Sequence, residues 1–448
     1  MYIDLTKGRI AGNLILFALP MIAGDLLQQL YNIADTLIVG RFIGSQALAA
    51  VGSAYSLMTF LTSIFLGMSM GAGVLFAMEK GRGDMARLRA AIAHAFVLIL
   101  LITVVLNALL FAFVDPILRF LEVPRDVYGD MRAYLMIIFV GMTAVFLYNF
   151  FACALQAAGN SLTPLIFLGC SAAINIGLDL WFIIGFGWGV RGAAAATVIA
   201  QLFSGAGILI YFLWKCRELV PRRKDFSYND GILREILGLS LLTCAQQSCM
   251  NFGILLVQRL VNTFGAVTMA AFAVGVKIDA FAYLPVQDFG NAFSTFISQN
   301  CGAGETERQK KGVRQGTAIS VAFSLAVSAL VWIFAEPLMK IFVDGSETAV
   351  ISCGVRYLHI EGAFYLGIGC LFLLYGLFRG MGKPGVSLVL TIISLGTRVA
   401  LAYALAPVIG ETGIWMSVPI GWALADVTGY LCFIRMGRGK KAGSAVVR

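Results

Sequence analysis

Apolar residues run through this chain in long blocks, broken by short segments rich in charge, glycine or proline. Residues 13–40 carry only Asp25 and Asp35 as charges, and residues 90–114 contain no Asp, Glu, Lys or Arg. About 20 apolar residues suffice to cross a bilayer as a helix, which satisfies its own backbone polar groups. The blocks predict twelve such helices, at 13–40, 47–78, 90–113, 132–157, 163–187, 190–214, 234–262, 267–300, 313–334, 354–378, 384–406 and 412–434.

The pattern also repeats. When residue 41 is laid on residue 262, RFIGSQALAAVG (41–52) falls on NTFGAVTMAAFA (262–273), matching Gly44 with Gly265 and Ala49–Ala50 with Ala270–Ala271. At the same displacement GRGDMAR (81–87) falls on GAGETER (302–308), so that two glycines, an acid and an arginine coincide. Each repeat holds six helices, so both run the same way through the membrane, and in transporters of that build the substrate site lies near the midplane between the repeats. The expected fold class is an all-α polytopic membrane protein with twelve transmembrane helices in two pseudo-symmetric six-helix lobes. The expected divisions are an amino-terminal lobe (13–214), a linker (215–233), a carboxy-terminal lobe (234–434) and a basic tail (435–448).

Composition agrees with the pattern: 59% of the 448 residues are hydrophobic and 13% charged, against about 25% charged in soluble domains. The net charge of +9 follows membrane topology and does not point to nucleic acid. Basic residues gather in 79–89, 215–224, 307–314 and 435–441, loops and a tail on one side. Retention of positive charge on the cytoplasmic side places both termini inside, in a bacterial-type cytoplasmic (inner) membrane. The first apolar block reads as a retained helix, since no small-residue cleavage site follows it. The nine cysteines are scattered, lack metal-ligand spacing and read as small apolar residues.

Acids inside the spans are the candidate chemistry, because a charge placed there is costly and marks function by default. Asp35 follows Tyr31 by one helical turn and Gln28 by about two, so the three share a face of the first helix. In INIGLDLWFIIG (174–185), Asn175 and Asp179 stand at i and i+4 on the fifth helix, one turn apart. Thr197 on the sixth helix and Asn149 on the fourth can add a hydroxyl and an amide. Neighbouring carboxyls in a low-dielectric pocket can hold a proton near neutral pH, and the ionised oxygens suit Na⁺ or an organic cation. Competition among these for one site is what an antiporter needs.

Other polar residues carry less. His94 reads as interfacial. His359 and Glu361 open the tenth helix on the outer side, where Glu361 could guard a cavity but a solvated or lipid-interface role is favoured. Lys277, Asp279 and Asp288 lie on the eighth helix. Arg398 aligns with Asn175 at a second displacement, set by QAAGN (156–160) on RGMGK (379–383), which implies a two-residue insertion. The 33 Phe, 16 Met and 14 Tyr permit a soft, polyspecific chamber.

FALPMIAGDLLQQLYNIADTLIVGRFIG (17–44), NIGLDLWFI (175–183), GAGETERQKKG (302–312) and FRGMGKPG (378–385) together resemble the multidrug and toxic compound extrusion (MATE) family over nearly the full length. The resemblance implies a V-shaped cavity between two lobes and export of organic cations coupled to H⁺ or Na⁺, with no other cofactor. It implies an ion site at Asp35, Asn175 and Asp179, with Tyr31, Asn149 and Thr197 at matching places. Na⁺ is possible at the first three. Pro20 resembles the proline at which the first helix bends, and a proline removes one helix hydrogen bond.

A branch of that family has ion-binding acids on the seventh and tenth helices. Here the seventh reads LLTCAQQSCMNFGILLVQ (241–258), offering Gln246, Gln247 and Asn251 as cavity residues, and no acid lies near Ile368. Coupling is therefore expected in the amino-terminal lobe. The expected partners are organic cations and membrane lipid, and the expected state is monomeric. A lipid-precursor flippase is the alternative, but it would favour several cavity arginines, whereas only Arg259, Lys277 and Arg398 fall more than two residues inside the ends of the spans. An intramembrane enzyme would need a nucleophile–base pair or metal cluster; HExxH is absent, and the GxSxG match GMSMG (67–71) lies inside the second predicted span instead of on a strand-to-helix turn.

Overall fold

The structure, a computed structural model, describes residues 2–120, 123 and 125–445; residues 446–448 of the expected tail lie outside them. Among the described residues the secondary structure is helical. The amino-terminal half holds α1 (Ile10–Phe42), α2 (Ser45–Arg82), α3 (Met85–Ala112), α4 (Val114–Phe120), α5 (Arg125–Ala157), α6 (Leu162–Leu180) and α7 (Gly189–Lys215). The rest holds α8 (Asp230–Asn262), α9 (Ala266–Gly302), α10 (Thr306–Ile333), α11 (Ala335–Phe342), α12 (Thr348–Gly362), α13 (Tyr365–Gly380), α14 (Pro384–Ile409) and α15 (Glu411–Ala445). Among the described residues eleven helices are long and apolar enough to cross a membrane, and α12 with α13 makes a twelfth span if the bent pair is one.

That pair corrects the expected unbroken helix at 354–378. The two segments meet at 51°, where Phe364 N–H bonds to Glu361 O (3.0 Å) and Gly367 N–H to Phe364 O (2.8 Å). These i to i+3 bonds tighten the chain and interrupt the helical ladder. The short α4 and α11 also exceed the expectation, which left both stretches as loops. They are repeat mates: FVDPILRF (113–120) lies on FAEPLMKI (334–341), each with a proline in the first turn, where its missing N–H costs nothing.

The repeat is written most plainly in the turns. Gly44 and Gly265 have φ of 114° and 90°, Gly83 and Gly304 77° and 72°, Gly159 and Gly382 92° and 73°, and Gly187 and Gly410 66° and 65°. A side chain is strained in that region, so glycine ends the same helices in both halves.

The chain forms two compact units. One comprises the residues through Thr6, Leu16–Gln247 and Ser298–Gly304; the other comprises Lys7–Ile15, Ser248–Ile297 and the chain from Glu305. In the first, α5 packs against α2 and α7 around Phe76, Phe146, Phe150 and Phe212, all buried. In the second, Trp415 stacks on Phe272 (5.4 Å) and meets Tyr357 edge-on (4.9 Å). Within the first unit α2 crosses the end of α9 through glycine: a Cβ on Gly81 would stand 1.9 Å from Gln299 O, and one on Gly302 1.9 Å from Met78 O.

Candidate functional site

The loop before α6 fixes that helix. Asn160 Oδ1 accepts the Thr163 N–H (3.1 Å) and its amide nitrogen donates to Thr163 Oγ1 (2.9 Å), satisfying groups that a helix start leaves unpaired. Past Leu180 the chain makes one π-helical turn, Trp181–Gly185, an irregularity that often accompanies function. Trp181, Phe182, Phe186 and Trp188 pack their rings together there.

Asn175 and Asp179 lie on the buried side of α6, 1% and 0% exposed. With the amide oriented to satisfy both its atoms, Asn175 donates to Asp179 Oδ2 (3.0 Å) and accepts from the Thr197 N–H (3.3 Å). The Thr197 hydroxyl donates to Ala193 O (3.0 Å) on α7. Asp35 comes from α1, and its carboxyl lies within hydrogen-bonding reach of Asp179. A carboxylate only accepts, so a bond between the two needs a proton on one of them. One oxygen of each acid, Oδ1 of Asp35 and Oδ1 of Asp179, is buried without a partner. Tyr31 lies within electrostatic range of both carboxyls.

So does Tyr134 of α5, which the sequence reading missed as a residue near the start of a span. The second displacement of the repeat marks it, because it places Tyr134 on Tyr357, and Tyr357 also stands beside acids. Asn149 instead turns its amide to Val145 O (2.8 Å) in its own helix. Gln28 is exposed on α1, and Pro20 lies inside α1, which remains helical through it. On α8, Gln246 is buried and Gln247 donates to Met70 Sδ (3.5 Å), while Asn251 is partly buried.

The other unit holds a cluster that the sequence did not assemble. The hydroxyls of Tyr357 (α12) and Tyr365 (α13) both donate to Asp279 of α9, and the Tyr357 hydroxyl also lies 3.1 Å from Glu361 Oε2. Arg398 of α14 stands in electrostatic range of both acids. Glu361, read as solvated or interfacial, is 3% exposed. His359 is partly buried, its ring 3.1 Å from Trp332 O.

Two carboxyls, an amide and a hydroxyl converging inside a membrane-length bundle is chemistry for holding and releasing a small cation. The MatE family model matches residues 20–181 and 242–404. The chain belongs to the MatE family. Its relatives include the probable multidrug resistance protein YpnP of Bacillus subtilis, 27% identical over 98% of this chain and 97% of that one. The probable multidrug resistance protein NorM of Thermotoga maritima is 28% identical over 91% and 88%. A crystal structure of a MATE protein in complex with MaL6 shares the fold, with a TM-score of 0.92 at 24% identity over 98% of both chains. Family membership makes this MatE protein a multi-pass membrane transporter, and the two stretches matched by the family model correspond to the two repeats.

Proposed function

We propose that the protein exports amphipathic organic cations in exchange for H⁺ or Na⁺, by alternating access of its two six-helix repeats, with both termini cytoplasmic. The observation that carries the reading is the acid pair. Asp35 and Asp179 meet from separate helices in a membrane interior, and among the described residues no Lys or Arg partners them. Such a pair must take up a proton, a metal cation or a cationic substrate to be neutral. Proton or sodium entry from outside fills the site and weakens its hold on a cation, and release inward restores it. One charge moving down 100 mV supplies about 2.3 kcal/mol, and one-for-one exchange for a monovalent cation returns that electrical term and leaves the concentration difference of the coupling ion to drive export. The relatives named as multidrug resistance proteins support drug-like cargo.

The flippase reading has less support, since the interior charges of the first unit are acids. The test is ethidium efflux from proteoliposomes under separately imposed proton and sodium gradients. Asp35→Asn keeps size and hydrogen bonding but loses titration, so the variant should insert normally and lose gradient-driven efflux; normal pumping by it would make Asp35 structural.

A further inference from the structure

Asp426 stands within the hydrophobic span Glu411–Met436 of α15, about 22 Å from its start at 1.5 Å per residue. Its Oδ1 is buried without a hydrogen-bond partner. Among the described residues neither oxygen has a cationic partner, and its titratable neighbours are Cys370 and Tyr375 of α13. The other acids in the spans of this unit have partners: Asp279 takes Tyr357 and Tyr365, Glu361 takes Tyr357, and Asp288 accepts from Asn291 (3.4 Å). Asp426 also remains partly exposed.

Its surroundings leave the carboxyl without a counter-ion of its own. A Cβ on Gly367 would stand 3.7 Å from Asp426 Oδ2 and 3.3 Å from Trp422 Cβ, so the acid lies against the first turn of α13. The break between α12 and α13 is what creates that turn inside a span. Trp422 precedes Asp426 by one turn on the same side of α15. Trp422 packs partly buried against Gly367, and an aromatic ring near a carboxyl suits an organic ammonium or phosphonium, which a ring attracts through its quadrupole.

We infer that Asp426, with Trp422 and the first turn of α13, forms a binding subsite for the organic-cation substrate. The inference rests on the exporter reading above and adds a substrate contact on residues other than Asp35 and Asp179. Gly367 keeps the approach open, and Cys370 supplies a native reporter beside it.

The experiment measures equilibrium binding of tetraphenylphosphonium, and of the uncharged triphenylphosphine oxide, to the purified full-length transporter. Asp426→Asn should weaken the cation by about tenfold or more and leave the neutral probe unchanged, while Asp426→Glu should retain cation binding. Gly367→Ala, which leaves the acid in place and narrows the approach, should also weaken the cation and keeps the test alive if Asp426→Asn fails to fold. With Cys370 as the remaining cysteine, the cation should slow its alkylation in the parent and not in Asp426→Asn. Unchanged cation affinity in both Asp426→Asn and Gly367→Ala overturns the subsite while leaving the exporter reading intact. Failure of the unsubstituted protein to bind either probe overturns the exporter reading and the subsite with it.

Discussion

Asn175 gives its two amide atoms different duties: one holds Asp179 and the other ties α6 to the backbone of α7. Aspartate at that place would bring a third carboxyl to the pocket and remove the donor. If Asp35 and Asp179 form the switch, protons compete with the organic cation, so substrate affinity falls as pH is lowered. Titrating binding of a permanently charged probe against pH should show that fall in the parent and a flat profile in Asp35→Asn/Asp179→Asn. A steep profile surviving in the double variant would move the switch to other groups. In the second unit Arg398 stands in electrostatic range of two buried acids. Arg398→Gln should therefore destabilise the protein by about 0.5–3 kcal/mol, the range of most single substitutions, and adding Glu361→Gln should return part of that loss. Thermal unfolding of the two variants side by side measures the recovery; an Arg398→Gln protein as stable as the parent would show that the arginine is not part of the set.

Among the elements, the long spans were legible because a bilayer leaves the chain little choice: twenty apolar residues must become a helix. The i, i+4 pair on α6 was legible for the same local reason. The break after Gly362 was not, since no proline marks it and a Glu–Gly pair followed by an apolar run reads as the start of one span. Asp279, Glu361 and Arg398 come from α9, α12 and α14, and no local spacing announces that tertiary packing brings them together. Asp426 stands alone in its span with no neighbour of matching period. The short α4 and α11 were within reach of the repeat, through the paired FVDP and FAEP stretches, but each is only about two turns long. The crossing of α2 with the end of α9 allows no side chain at Gly81 or Gly302. Alanine at either should cost about 1–3 kcal/mol, as overpacking does, whereas Gly52→Ala, with nothing within 4 Å of the new Cβ, should be harmless. Melting temperatures of the three variants in detergent check the contrast, and an unperturbed Gly81→Ala would show that the helices part readily there.

For the whole molecule, the compact units and the sequence repeats do not coincide. The first unit draws on the amino-terminal repeat but also takes the first half of α8, through Gln247, and Ser298–Gly304 at the end of α9. The second unit in turn takes Lys7–Ile15. Tyr228 is 77% exposed in the segment that joins the repeats, so the backbone there can be interrupted at little cost to packing. Encoding the protein as two open reading frames, divided after Tyr228, would then give fragments that each lack pieces of both units. Neither should accumulate in the membrane when expressed alone, and co-expression should restore both abundance and efflux. Accumulation of a single fragment at the level of the intact chain would show that one repeat folds without the other. Complementation between the two reading frames follows from a chain that was doubled in sequence and then interleaved in space.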